Sequence, residues 1–140
     1  MAGGRLGYAL GPAELIADLE KLKYSTNPYN VNRLTMLLGE VTVDADSYYQ
    51  KMCADVQETR NWTAAQLKEL GFTVLDSDAN FLFAKSDKIG GEALYLALKK
   101  RGVLVRYFTA QRIKEFNRIT IGTKEQMEVF IETVKAILEQ

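Results

Sequence analysis

Phe116-Asn117-Arg118-Ile119-Thr120-Ile121-Gly122-Thr123 joins a short strand to a helix, and its reading decides the fold. Ile119 and Ile121 alternate with Arg118 and Thr120, the period-two pattern of a strand whose two faces meet different surroundings. Gly122 and Thr123 end that strand. Thr123 followed by Gln126 forms a capping box, and Met127, Phe130, Ile131, Val134, Ile137 and Leu138 fall on one face of the helix it starts. Arg118 has two readings: its planar fork can grip a phosphate or carboxylate, or it can serve solubility, as most surface arginines do.

Upstream of this stretch, Phe72-Thr73-Val74-Leu75 and Asn80-Phe81-Leu82-Phe83-Ala84 flank the turn-forming Asp76-Ser77-Asp78, which predicts an antiparallel pair. A helix is expected over Gly91–Arg101, with Leu94, Ala97 and Leu98 inward and Gly102 as its left-handed cap. Val103-Leu104-Val105-Arg106 reads as a further strand, leading through Tyr107 and Phe108 into a loop. From residue 72 onward the pattern is α+β, with helices packed on a mostly antiparallel sheet.

The first part of the chain reads differently. Leu6-Gly7-Tyr8-Ala9-Leu10 has the look of a short apolar strand whose neighbours in a sheet are not encoded nearby. Gly11-Pro12 ends it and places proline at a helix start, with Leu15, Leu19 and Leu22 as the buried stripe. Tyr24 to Asn32 is a polar, turn-forming segment, and a second helix follows from Val31 to about Gly39 with Leu34, Leu37 and Leu38 inward. A long helical pattern then runs from Asp44 to about Leu70, marked by Tyr49, Met52, Cys53, Val56 and Leu67. Helices of that length often bridge two domains, which divides the chain into residues 1–43 and 44–140.

Composition bounds the chemistry. With 140 residues, 47% hydrophobic and 26% charged, the chain can bury one good core. Lys+Arg and Asp+Glu are both 18, so no overall field favours nucleic acid or an anionic membrane. No signal peptide and no membrane-spanning apolar run is present, and a cytoplasmic setting is expected. The single cysteine, Cys53, lies in a helical pattern and is expected in the core. There is no histidine, which removes Ser-His-Asp and Cys-His catalysis and ordinary Cys/His zinc sites.

Taken together, Ala2-Gly3-Gly4-Arg5-Leu6-Gly7-Tyr8, Pro28-Tyr29-Asn30-Val31-Asn32, Ala79-Asn80-Phe81, Val103-Leu104-Val105-Arg106 and Arg118-Ile119-Thr120-Ile121-Gly122-Thr123 resemble, in order and spacing, the fold-type I pyridoxal-phosphate-dependent aminotransferases, and most closely their histidinol-phosphate branch. The resemblance covers the whole chain but only the C-terminal part of the family's sequence. It implies the family's C-terminal small domain over residues 44–140 and a remnant of the large cofactor-binding domain over 1–43. It implies that Arg5 helps hold the cofactor phosphate, that Arg118 binds the anionic group of a phosphorylated amine substrate, and that Arg106 contributes to the same site. Tyr29 and Asn30 would line the active-site side, or serve only as loop formers. Gly4 stands where the family has a bulky apolar residue.

The family's Schiff-base lysine falls before residue 1, and Lys21, Lys23 and Lys124 do not replace it by position. The resemblance therefore implies a chain that is catalytically incomplete by itself, from a homodimeric parent, and one that could self-associate through uncovered apolar surface. A non-catalytic folded module or expressed fragment, or a piece of a related aminotransferase acting on threonine phosphate or aromatic amino acids, are the alternatives. An unrelated phosphate-binding module is a further one.

Overall fold

The structure, a computed structural model, describes residues 2–139. It divides into two compact units, one up to Gln50 and one from Lys51.

In the first unit a 3₁₀ turn, Ala2–Gly4, leads through irregular backbone into α1 (Ala13–Thr26) and α2 (Arg33–Asp44). The strand expected over 6–10 does not form. Residues 6–12 have no regular structure, because an alternating pattern becomes a strand only when a neighbour satisfies its N–H and C=O groups. Pro12 directly precedes α1 as expected. The second helix begins after Asn32, whose side chain accepts a hydrogen bond from the Thr35 N–H at 2.9 Å, and it runs beyond Gly39 to Asp44. Gly39 is an interior packing position, where a Cβ would strike the Leu6 side chain. Neither α1 nor α2 buries a residue. Leu15, Leu19 and Leu22 are 61, 53 and 61% exposed, and Leu34, Leu37 and Leu38 are exposed too, contrary to their expected inward roles.

The long helix is continuous as α3 (Asp46–Glu69), about 36 Å at 1.5 Å per residue. Its last two turns enter the core through Thr63 and Leu67. Cys53 is exposed and does not join that core.

The second unit carries the hydrophobic core. β1 (Phe72–Val74) and β2 (Phe81–Ser86) form the expected antiparallel pair, followed by α4 (Gly91–Lys100), β3 (Arg106–Tyr107), β4 (Asn117–Thr120) and α5 (Lys124–Leu138). Strand order is β1-β2-β4-β3, all antiparallel. β4 thus pairs with β2 on one side and β3 on the other. The helices cover one face: Leu82 and Ala84 of β2 and Ile119 of β4 pack with Leu94, Leu98, Phe130 and Val134.

Local chemistry explains the boundaries. α5 starts at the predicted capping box: the Thr123 hydroxyl accepts from the Gln126 N–H at 3.3 Å, and the Gln126 side chain accepts from the Thr123 N–H at 2.9 Å. α4 ends in a Schellman arrangement, with Gly102 at φ +79°, its N–H donating to the Lys99 carbonyl and the Val103 N–H to the Leu98 carbonyl. That last bond shortens the strand expected over 103–106. Val103 is held in helix-terminal geometry, and the ladder with β4 begins only at Arg106.

Candidate anion site on the open face of the sheet

The face of the sheet turned away from the helices carries the candidate residues Arg106 and Arg118. Strand alternation sends Leu82, Ala84 and Ser86 into the core and leaves Phe81, Phe83 and Lys85 on the other side. In β4, Asn117 and Ile119 are buried while Arg118 and Thr120 are exposed. Register then sets the neighbours. Arg118 is the cross-strand partner of Phe83 on one side and of Arg106 on the other.

Two arginines directly opposite each other on adjacent strands are an unfavourable pair, since like charges in that relation repel. Among the described residues neither Arg106 nor Arg118 has a carboxylate partner. Aromatic rings flank them instead. The Arg118 guanidinium carbon lies 5.4 Å from the centroid of Phe81 and 6.0 Å from that of Phe108, and Arg106 lies 5.6 Å from Phe108. Phe83 stacks on Phe116 at 4.7 Å and meets Phe108 edge-on at 6.1 Å, while Lys85 stands over Phe116. The result is a cationic, aromatic-bordered surface with two free forks. An oxyanion placed between them would relieve the repulsion and accept paired, charge-assisted hydrogen bonds.

Buried polar groups hold the strands that carry this site. The Asn117 side-chain amide donates to the Gly91 carbonyl at 2.9 Å, and Gly91 lies so close to the backbone of Lys114 and Glu115 that a Cβ there would collide with it. Arg60, buried in α3, donates to the Ala79 carbonyl at 2.9 Å and so fixes the turn that delivers Phe81. On the helix side of β3, Tyr107 stacks on Tyr95 at 5.9 Å. Burial, then the Glu92 and Glu115 carboxylates, push its hydroxyl above the ordinary value of 10.0, which favours the neutral phenol.

Of the residues singled out from sequence, Arg106 and Arg118 are brought together here. Arg5, Tyr29 and Asn30 belong to the first unit, where all three are exposed. Arg5 is the non-glycine residue with positive φ among those described, at 54°, a conformation that costs of order 1–3 kcal/mol and recurs at ligand-binding positions. Its guanidinium has no carboxylate partner among the described residues. Phe81, Phe83, Phe108 and Arg60 were not identified as site or support residues from sequence. The alternation of Phe81, Phe83 and Lys85 was the available signal, but its meaning depended on which strand lay beside it.

Residues 1–134 match the family described as aminotransferase class I and II. The chain belongs to that family. It is 45% identical over 139 residues to a histidinol-phosphate aminotransferase of Brachyspira hyodysenteriae, covering 99% of this chain and 39% of the relative. It is 39% identical over 140 residues to one of Clostridium botulinum, covering 100% of this chain and 40% of the relative. The chain therefore spans about two fifths of the length of these curated relatives. The histidinol-phosphate aminotransferase of Sinorhizobium meliloti, solved in complex with pyridoxal-5'-phosphate, shares the fold with a TM-score of 0.81 at 16% identity, over 99% of this chain and 38% of that one. That of Clostridium acetobutylicum gives a TM-score of 0.76 at 23% identity, over 85% and 37%. These neighbours agree with the α+β architecture expected of an aminotransferase domain.

Proposed function

We propose that this chain is the C-terminal portion of a pyridoxal-phosphate-dependent histidinol-phosphate aminotransferase of histidine biosynthesis, with residues 44–140 as its small domain and 1–43 as a remnant of the cofactor-binding domain. The observation that carries the reading is the cross-strand pair Arg106 and Arg118, opposed in register and free of carboxylates among the described residues. A substrate phosphate is the group such a pair accepts best, since two planar forks offer more donors than any neutral site could.

In the complete enzyme, pyridoxal phosphate supplies the electron sink for amino transfer to 2-oxoglutarate. Arg5 would hold the cofactor phosphate, and Arg106 and Arg118 would orient the substrate by its anionic end, with Tyr29 and Asn30 lining the active-site side. Orientation of this kind lowers the entropic part of a barrier without taking part in bond making. The covalent lysine falls outside these 140 residues, so the chain by itself binds anions and does not transaminate. The parent is a cytoplasmic homodimer in this reading. Among the described residues no helix is long and apolar enough to cross a membrane.

The test has two parts. With histidinol phosphate, 2-oxoglutarate and added pyridoxal phosphate, residues 1–140 should give no turnover, and borohydride reduction followed by peptide mapping should label no specific lysine. In the full-length enzyme, Arg118→Ala should weaken use of histidinol phosphate by about 10- to 100-fold, as expected for losing charge-assisted hydrogen bonds of about 1.5–3 kcal/mol. Turnover by the 140 residues, or an indifferent Arg118→Ala enzyme, would sink the reading.

A further inference from the structure

Phe108 follows β3 and lies two residues after Arg106. Its ring is within 5.6 Å of the Arg106 guanidinium carbon and 6.0 Å of that of Arg118, so a single ring touches both cations. Arg118 has a second ring, Phe81, at 5.4 Å. Among the described residues Arg106 has no other aromatic or acidic contact. Phe108 is itself braced edge-on by Phe83, which stacks on Phe116. Each ring in that series rests on the next, and the last belongs to the segment that enters β4.

We propose that Phe108 is the positioning residue of the arginine pair: it restrains both guanidiniums before any ligand arrives, and Arg106 depends on it more than Arg118 does. The effect on binding rests on the anion-site reading above; the restraint itself does not. Cation–π attraction offsets part of the repulsion between the two cations. It also removes rotamer freedom that an oxyanion would otherwise have to freeze, so a site ordered in advance binds more tightly for the same hydrogen bonds. The unequal number of rings makes the proposal specific. Loss of Phe108 leaves Arg118 with Phe81 and leaves Arg106 with no aromatic or acidic contact among the described residues.

Nitrogen-15 relaxation of the arginine Nε–H groups in the 140-residue chain tests the restraint without ligand. In the unaltered chain, Arg106 and Arg118 should be more ordered than Arg112, an exposed arginine in the loop between β3 and β4. Phe108→Leu should lower the order of Arg106 strongly and of Arg118 slightly. Phe108→Tyr, which keeps the ring, should restore both, and Phe81→Leu should loosen Arg118 alone. An Arg106 as mobile as Arg112 in the unaltered chain, or unchanged by Phe108→Leu, overturns the proposal even if a variant folds poorly.

Titration with inorganic phosphate then reads the consequence. Phe108→Leu should weaken binding about threefold to tenfold, with Phe108→Tyr close to the unaltered chain. Where the unaltered chain binds phosphate, equal affinity in Phe108→Leu would also overturn the proposal. If ordered arginines in the unaltered chain bind no phosphate, the anion-site reading fails while the ring's restraint of the pair is upheld.

Discussion

The two units of this chain carry similar helical patterns and meet different ends. α5 and α1 each present an apolar stripe, yet α5 buries Met127, Phe130, Ile131, Val134 and Ile137 while α1 buries nothing. The difference lies in what each stripe has beside it. α5 packs with α4, β2 and β4 in a single cluster, whereas the leucines of α1 and α2 remain open to solvent. An amphipathic stripe states that a surface is to be covered and does not say by what. Helices of 14 and 12 residues that bury no residue are marginal in water, so the stability of the chain resides in the second unit.

The largest test of that contrast pairs two leucine truncations. Leu98→Ala, at a fully buried position, should cost about 2–5 kcal/mol. Leu19→Ala, at an exposed one, should stay within about 0.5 kcal/mol. Urea unfolding followed by helical circular dichroism reads both, and Trp62, the single tryptophan, packs against the core of the second unit and reports on that unit. Equal costs would erase the distinction between the units.

A smaller effect is expected at Gly91, which sits against the backbone leading into β4. Gly91→Ala should destabilise the second unit by about 1–3 kcal/mol through overpacking and should disturb β4, visible as shifts in the Arg118 amide resonance. A stable variant with an unmoved Arg118 would show that this packing is looser than the geometry implies.

The caps sharpen the comparison further. Thr123→Ala removes the box that starts α5 and should lower the Trp62 midpoint by an amount equivalent to about 1 kcal/mol. Asn32→Ala removes the cap of α2. It should reduce helical circular dichroism without moving that midpoint, since α2 contributes no buried residue to the core.

The smallest effect is electrostatic. The Glu125 carboxyl is held below its ordinary value of 4.5, first by its own backbone N–H at the start of α5 and then by Thr123. A depressed carboxylate stabilises the folded state above its unfolded value, and that contribution disappears as pH falls through the lower folded value. Glu125→Gln should therefore leave stability unchanged once the carboxyl is protonated in both states and slightly reduce it at neutral pH. A variant with an unchanged acid limb would remove Glu125 from the account.

The sequence by itself determined the features that depend on neighbours a few residues apart. The capping box of α5, the Gly102 terminus of α4, the hairpin from Phe72 to Ala84 and the span of α3 all rest on contacts within one turn or one loop, and all are where the residues placed them. The same logic made Arg118 a candidate from its strand alone, whereas Arg106 was named through the family resemblance. Tertiary structure decided the rest. Val103 to Val105 carried as good a strand pattern as β4, but the helix end claimed the Val103 N–H. Leu6 to Leu10 alternated without a paired neighbour and stayed irregular.

Only the strand order β1-β2-β4-β3 put β4 between β2 and β3, setting Arg118 beside Phe83 and opposite Arg106 and assembling the rings around them. Side-chain alternation is a property of one strand, so it can be read locally. Register is a property of two strands far apart in sequence, and it is fixed only when the core on the other face has packed.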